Sequence, residues 1–293
     1  MPERTRIRVV PHFMRLHEWI ALEIGAYQAE GLEPDLLTDV MHNVSSHGRD
    51  AYFERPQDRP FLAGGMEVAN SACEWGSVCN AGAGMGKFVS DLYGVARFGI
   101  FARPGSEITR LVELADVPVG VGLMAGSHFT TLQTLEHVLP RDQVKVDNIG
   151  GPGRRLIALL EGEVEAANLL DPEITIAEEK GLRKLASGEF RTLFWVSPGI
   201  PASALGAYFR ALRRADGALR TEPSKYMHLW KKNLPPGLEG DYDWSKFGLG
   251  ELLVFERYPE ETFDQTLEFA RRWGLDKNVR ADRYAELAAP AAL

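Results

Sequence analysis

Two kinds of hydrophobic pattern alternate along most of the chain. Short apolar runs bounded by Pro, Gly or polar residues predict buried strands. Between them, apolar residues recur every three or four positions, which predicts helices that bury one face. The strands are predicted at residues 7–10, 33–37, 67–76, 96–106, 117–123, 143–149, 164–170 and 190–199. This alternation predicts an α/β fold with a mostly parallel sheet and helices on both of its faces, followed by a helical C-terminal third.

One strand-to-helix junction has an unusual number of polar side chains. The strand at 117–123 is followed by "GSHFTTLQTLEHVL" (126–139), whose apolar residues recur at helical spacing. Ser127 is predicted to cap this helix. The remaining first-turn N–H groups would carry the positive end of the helix dipole, which can bind an anion. A capped helix with no ligand is the alternative, and the pattern alone favours it.

Two longer phrases resemble a family of ligand-binding proteins. "IALEIGAYQAEGLEPDLL" (20–37) and "LIALLEGEVEAANLLDPEITIAEEKGLRKLA" (156–186) are similar to phrases of the periplasmic-binding-protein-like (type II) family, in its sulfonate-, nitrate- and thiamine-precursor-binding group. The resemblance spans roughly residues 7 to 225. It implies two α/β lobes joined by two crossing strands, with a ligand cleft between them. These motifs specify a fold more than a ligand.

The resemblance also implies where the lobes divide. The crossing strands would be "ARFGIFARPG" (96–105) and "RTLFWVSPG" (191–199), which puts residues 1–102 and 193–293 in lobe one and residues 103–192 in lobe two. The junction at residue 126 would then face the cleft. With this fold, the anion-binding interpretation becomes the favoured one, and Ser127, His128 and Thr130 would offer donors to a ligand.

Two residues after the first predicted strand are candidate ligand-binding groups. His12 and Arg15 lie in the turn that should face the same cleft. The planar guanidinium of Arg15 can bind both oxygens of a carboxylate. Equally, Arg15 could be a solvated charge in the first turn of a helix.

The segment at 67–76 is predicted to be a strand that runs into a turn, and the residues after "EVAN" (67–70) contain the candidate catalytic groups. Cys73 could act as a nucleophile or acid, with His128 of the other lobe as its partner. Glu74 could be a general acid or base if Trp75 desolvates it. Ser71 and Trp75 are predicted to contact the ligand. For Cys73 the alternative is a small buried hydrophobic residue.

Two later turns add candidate ligand contacts. "NIGGPGRR" (148–155) places Arg154 and Arg155 at the start of a helix, and Arg154 is predicted to bind a ligand anion unless it is a surface charge. Asp171 is predicted either to cap a helix before Pro172 or to contact the ligand. No His or Cys spacing predicts a metal site, and no motif predicts an organic cofactor.

Composition and charge limit the class of protein and the compartment in which it acts. The chain has 293 residues and a net charge of −8, without the basic block that a nucleic-acid-binding protein needs. No apolar run approaches the ~20 residues that span a bilayer. The N-terminal residues have no apolar signal region, which favours the cytoplasm, or the periplasm if a leader has been removed. Cys73 and Cys79 are predicted to be thiols.

Two classes of function fit these features. The first is a cytoplasmic, cofactor-independent lyase, such as a decarboxylase, acting on a small aromatic or unsaturated carboxylic acid, because some members of this fold are lyases or synthases. The alternative is a solute-binding protein or ligand sensor for a small anionic or aromatic compound. Trp and Tyr residues after position 225 make a homodimer conceivable. The sequence favours the lyase by a small margin, and this preference depends partly on fold analogy.

Overall fold

The described residues form one sheet with helices packed against it. The structure, a computed structural model, describes residues 4–38, 41, 68–197 and 199–291, with the backbone alone for residues 68–72. Its eleven strands in this part of the chain are β1 (Thr5–Val9), β2 (Leu32–Leu36), β3 (Val68–Cys73), β4 (Lys87–Val89), β5 (Tyr93–Ala102), β6 (Val119–Val121), β7 (Val146–Asn148), β8 (Ala166–Leu170), β9 (Arg183–Val196), β10 (Leu252–Val254) and β11 (Ala288–Ala289).

Helices occupy most of the connections between strands. Over the described residues the α-helices are α1 (His17–Glu23), α2 (Ala26–Ala29), α3 (Glu74–Gly82), α4 (Gly126–Leu135), α5 (Pro152–Leu160), α6 (Glu173–Glu179), α7 (Ala202–Thr221), α8 (Pro223–Tyr226), α9 (Glu260–Arg272) and α10 (Tyr284–Leu287). None of these helices has the length and hydropathy of a membrane span.

Two long antiparallel strands, β5 and β9, lie in the middle of the sheet and join its halves. The strand order is β2-β1-β3-β9-β5-β8-β6-β7, with β10 beside β5, and with β4 between β9 and β11. β1 is parallel to β2 and β3, and β6 is parallel to β7 and β8. The prediction of two crossing strands between two parallel α/β units is therefore confirmed. The lobe boundaries given above stay a prediction.

Three predicted elements differ from the structure. β9 begins at Arg183, because the polar residues before Phe190 continue the pairing with β5 as an exposed stretch. β3 ends at Cys73 rather than running into a turn at 76, because the Cys73 Sγ atom accepts a hydrogen bond from the Gly76 N–H (3.4 Å) and so caps α3. The structure also contains the short strands β4, β10 and β11, which were not predicted.

The first predicted helix is divided in two. The apolar spacing predicts one helix through Tyr27 up to Gly31, but α1 ends at Glu23 and α2 begins at Ala26. Gly25 lies between them with a φ of 70°. This left-handed conformation interrupts the helical hydrogen bonding, and glycine adopts it without a steric penalty. The turn brings the chain back so that β2 pairs with β1.

A separate aromatic cluster attaches the C-terminal helices to α3. It is formed by the buried side chains of Val78, Phe88, Leu193, Tyr258, Phe263, Leu267, Tyr284 and Leu287. α9 packs along α3 in this region. The end of α9 is therefore fixed relative to the half of the sheet that contains β3.

We expect Gly94→Ala to destabilise the fold and Gly217→Ala to stabilise it. A Cβ atom at Gly94 would overlap the Glu251 and Thr192 side-chain oxygens, whereas one at Gly217, inside α7, would meet nothing within 4 Å. Overpacking of this kind costs about 1–3 kcal/mol, and Gly→Ala inside a helix gains about 0.5–1 kcal/mol. Urea unfolding of both variants measures the two effects. Equal stabilities would contradict the close packing at Gly94.

Candidate functional site: the cleft at the strand ends

The turns after β3 and β6 meet in the folded chain. A Cβ atom built at Gly126 would lie 3.5 Å from the Cβ of Cys73 and 2.7 Å from the Phe190 ring. Within the first turns of α3 and α4, the rings of Trp75 and Phe129 stack with centroids 5.4 Å apart and an interplanar angle of 6°. The predicted turns at 71–75 and 126–130 therefore lie against each other, next to the crossing strand β9.

Two helices begin at this meeting point. α3 starts at Glu74 and α4 at Gly126, with nine and ten residues respectively. The unsatisfied N–H groups of a first helical turn carry a partial positive charge. Convergence of two such ends brings their positive partial charges close together. This geometry is suited to a small anion.

Ser127 and His128 hold the backbone of the turn before α4. The Ser127 Oγ atom accepts a hydrogen bond from the Gly122 N–H (3.0 Å), and the His128 Nδ1 atom accepts one from the Met124 N–H (3.2 Å). The N-cap position belongs to Ala125, so the expectation that Ser127 caps the helix is wrong. Burial lowers the pKa of His128 to about 4, which keeps its imidazole neutral at pH 7.

Thr130 and Thr131 of the same helix link it to the neighbouring strand β8. The Thr130 hydroxyl donates to the Gly126 carbonyl (2.7 Å), and the Thr131 hydroxyl donates to the Ser127 carbonyl (2.7 Å). Both hydroxyl oxygens accept hydrogen bonds from the side-chain amide of Asn168 on β8 (2.9 and 3.0 Å). The polar residues of "GSHFTT" thus attach the turn and the helix to the neighbouring strand.

A buried arginine lies beside the carboxyl ends of β6 and β7 and the middle of β8. Arg155 Nε donates to the Asn168 carbonyl and Arg155 Nη1 to the Gly150 carbonyl, both at 2.6 Å. A Cβ atom at Gly122 would lie 3.3 Å from Nη1. Burial lowers the pKa of Arg155 to about 10, so the guanidinium remains a cation at neutral pH. The positive charge therefore lies directly beneath the turn that leads into α4.

The acidic residue near Arg155, Glu173, does not form a hydrogen bond with its free guanidinium nitrogen. The Nη2 atom of Arg155 and the Oε2 atom of Glu173 are both buried without a hydrogen-bond partner in the described part of the chain. Burial raises the pKa of the Glu173 carboxyl to about 8, and the positive charge of Arg155 opposes that rise. At neutral pH the Glu173 carboxyl is therefore mainly protonated, and the positive charge of Arg155 is not neutralised.

Asp171 holds a cation from the crossing strand β5. Arg97 donates to its two carboxylate oxygens through Nε (2.9 Å) and Nη2 (2.7 Å). Burial raises the pKa of Asp171, and the charge and hydrogen bonds of Arg97 oppose that rise. Pro172 is the N-cap of α6, so Asp171 does not cap this helix as expected. The pair fixes the turn after β8 to the middle of the sheet.

The turn after β1 is held by a buried network of charges. The Nδ1 atom of His12 lies within hydrogen-bond distance of Glu251, and Arg15 donates to Glu18 through Nε (3.0 and 3.1 Å) and to Glu251 through Nη1 (3.2 Å). Thr192 on β9 donates to Glu251 Oε1 (2.5 Å). Burial alone would raise the pKa of Glu251, but the charges of Arg15 and His12 lower it below its ordinary range.

A second C-terminal residue completes this support. The Asn233 amide donates to the carbonyls of Phe13 (2.9 Å) and Arg15 (2.8 Å), and its carbonyl oxygen accepts from the Trp19 indole (2.6 Å). The backbone N–H of Glu251 donates to the Met14 carbonyl (2.7 Å). The turn that contains His12 is therefore shaped by residues more than 200 positions away.

The remaining predicted site residues lie in different settings. Glu74 accepts a hydrogen bond from the Tyr258 hydroxyl (3.1 Å) in the aromatic cluster, and burial raises its pKa to about 7. Arg154 is exposed and paired with Glu163, whereas its neighbour Arg155 lies under the turns. The side chain of Ser71 lies outside the described residues. No group of three or more His, Cys, Asp or Glu side chains in the described residues could hold a metal ion.

The strongest similarities are to solved structures. No protein-family model and no curated protein sequence matches the chain. The alkanesulfonate-binding protein SsuA of Xanthomonas axonopodis pv. citri, bound to MOPS, has a TM-score of 0.70 at 13% identity, over 99% of this chain and 100% of that one. The periplasmic nitrate-binding protein NrtA of Synechocystis PCC 6803 has a TM-score of 0.66 at 12% identity, over 94% and 83%.

An enzyme also shares the architecture. A cysteine-to-serine variant of the desulfurization enzyme DSZB, in complex with biphenyl-2-sulfinic acid, has a TM-score of 0.62 at 16% identity, over 98% of this chain and 97% of that one. At these identities the similarity shows the fold alone. The chain has the two-lobed, type II periplasmic-binding-protein-like fold that its sequence resembles.

We expect Glu251→Gln to lower the free energy of unfolding by about 3–5 kcal/mol, the usual cost of leaving a buried charge without its partner. The amide cannot balance Arg15 and His12. Glu163→Gln removes an exposed ion pair and is the matched control, for which we expect no measurable loss. Denaturant unfolding at pH 7 compares the two variants. A loss no larger than that of the control would contradict the role of Glu251.

We expect the contribution of Glu173 to stability to fall as pH rises from about 4.5 to about 8. The ordinary pKa of Glu173 is 4.5, and burial raises it to about 8 in the folded protein. Across this range the folded protein holds a proton that the unfolded chain releases, so deprotonation favours unfolding. Glu173→Gln should reduce the slope of unfolding free energy against pH. Glu113→Gln should not, because hydrogen bonds from Thr109 and Arg110 lower the pKa of Glu113 to about 2, below this range. An unchanged slope in Glu173→Gln would contradict the assignment.

Proposed function

We propose that this protein binds a small anion in the cleft where α3 and α4 begin. The observation that carries the proposal is the convergence of these two helix N-termini, shown by the contact of Cys73 with Gly126. The charge of Arg155, which is not neutralised, lies beneath the same turn. Together they supply a positive potential in a water-poor setting, where it acts more strongly than in solvent.

The ligand class follows from these groups. Backbone N–H donors and a helix dipole bind sulfonate, carboxylate or nitrate oxygens without requiring a particular shape. Neighbouring structures of this fold include a sulfonate-binding protein with MOPS bound and a nitrate-binding protein. We therefore propose a solute-binding protein or ligand sensor for an organic or inorganic oxyanion. The nitrate-binding neighbour is periplasmic, and the expectation of a cytoplasmic protein has no support from these comparisons.

The lyase hypothesis has less support. Cys73 caps α3, Glu74 contacts Tyr258 in the aromatic cluster, and the His128 Nδ1 atom is occupied by the Met124 N–H. Each candidate catalytic group thus has a structural partner. A desulfurization enzyme shares the fold, so the architecture by itself does not distinguish a binding protein from an enzyme.

The anion site can be tested by adding one charge at Ala125, the N-cap of α4. We expect Ala125→Asp to weaken anion binding by about tenfold or more, because its carboxylate competes for the same N–H groups. Ala125→Asn has the same shape without the charge and is the matched control. An Asp at an N-cap is favourable for helix stability, so loss of binding cannot be attributed to unfolding.

The measurement is isothermal titration calorimetry with MOPS, methanesulfonate, nitrate and benzoate, after native mass spectrometry of the purified protein to detect a retained ligand. Binding that is reduced in Ala125→Asp and kept in Ala125→Asn supports the proposal. Equal affinities in both variants place the ligand elsewhere. If no ligand is retained and none of these anions binds, the proposed function is wrong.

A further inference from the structure

The end of α9 reaches across to lobe two. Glu136, which follows α4, accepts a hydrogen bond from Arg272 Nη2 (2.8 Å) through one carboxylate oxygen and from Trp273 Nε1 (2.9 Å) through the other. The Arg141 guanidinium lies over the Trp273 ring, 4.4 Å from its centroid. Because α9 is fixed to α3 by the aromatic cluster, these contacts join the two halves of the sheet.

A different C-terminal segment reaches lobe two at a second place. Lys246 Nζ lies 3.0 Å from Glu179 Oε1 at the end of α6. Pro235 packs so closely on Gly153 of α5 that a Cβ atom there would overlap the proline ring. This segment is attached to the turn after β1 by Asn233 and Glu251.

The two contact regions lie on opposite faces of the lobe-two strands. β6 lies between β8 and β7, so α4 leads outward from β6 to β7 and α5 returns from β7 to β8. Right-handed crossovers in opposite directions place their helices on opposite faces. α4 therefore meets α9 on one face, and α5 and α6 meet the segment 235–246 on the other.

We propose that these contacts form a two-sided C-terminal clasp that holds the two lobes together. The α9 side is formed by Glu136, Arg141, Arg272 and Trp273, and the second side by Gly153, Glu179, Pro235 and Lys246. Ligand entry then requires the clasp to open. The inference does not depend on the nature of the ligand and is tested without one.

The α9 side carries more of the stabilisation. The Glu136 side chain is only 18% exposed and receives two hydrogen bonds, one of them from a cation. Charge-assisted hydrogen bonds at partly buried sites are stronger than neutral ones. The Lys246 side chain is 60% exposed, and ion pairs of that kind contribute little. Glu136 and Trp273 are therefore the positions at which to open the clasp.

Cys73 provides a reporter of opening. Its thiol is buried where the two turns meet, whereas Cys79 is buried in the middle of α3. Separation of the lobes should expose Cys73 but not Cys79. The ligand-free protein is treated with 5,5′-dithiobis(2-nitrobenzoic acid), and mass spectrometry follows the modification of each cysteine with time.

We expect Glu136→Gln and Trp273→Phe to react at Cys73 about tenfold faster than the wild type, the factor that follows from loss of one charge-assisted hydrogen bond. Glu163→Gln, which removes an ion pair within lobe two, is the matched control and should react at the wild-type rate. The rate at Cys79 should stay the same in all variants.

Two results would overturn the clasp. The first is a Cys73 rate in both clasp variants equal to that of Glu163→Gln. The second is a parallel increase at Cys79, because it would show that the variants unfold lobe one rather than separate the lobes. A failure to bind any anion would contradict the proposed function and leave these rates unaffected, so the two hypotheses fail independently.

Discussion

The buried carboxylate of Glu251 is the interaction on which the edge of the cleft depends. It lies between Arg15, His12 and Thr192, and thereby connects the turn after β1, the crossing strand β9 and the C-terminal chain. A buried charge is tolerated only when it is paired and hydrogen-bonded. Each of these three segments is therefore placed by the need to satisfy one carboxylate, and Gly94 provides the space that the carboxylate occupies.

Close packing at two glycines also brings distant segments of the chain together. Gly126 allows the start of α4 to approach Cys73 and Phe190, and Gly153 allows the start of α5 to approach Pro235. Gly126 lies against Cys73 at the end of β3 and Phe190 of the crossing strand β9, and Gly153 lies against the segment between α8 and β10. Contacts of this kind have little tolerance for added volume, since a folded interior is packed at near-crystalline density. This arrangement is thus specified by small residues as well as by ion pairs.

The sequence predicted the strand and helix order well, because apolar periodicity is a local property. The short strands β4, β10 and β11 were missed, whereas the equally short β6 and β7 lie within longer runs that give a strand pattern. The polar residues of "GSHFTT" were correctly placed at a strand end, but their partners could not be inferred. A serine after a strand can cap the helix or bond back to the strand, and the choice depends on where the Gly122 N–H points.

The residues that hold the turn after β1 could not be predicted from the sequence, and the reason is physical. Glu251 and Asn233 contact the turn after β1 from more than 200 residues away, and no pattern in one sequence records such a pairing. The choice between Arg154 and Arg155 is equally non-local, because adjacent residues in a helix point in different directions and only one faces the strands. Burial distinguishes them once the fold is known.

The position of Glu251 in the chain also bears on the order in which the protein can fold during synthesis. β6 to β8 with α4 to α6 form a continuous stretch, from Val119 to Glu179, and their contacts can form as soon as this stretch has left the ribosome. The turn after β1 is synthesised first, yet its partners Asn233 and Glu251 come near the end of translation. The turn after β1 is therefore stabilised by its partners only at the end of translation. By then, all residues of lobe two have already been synthesised.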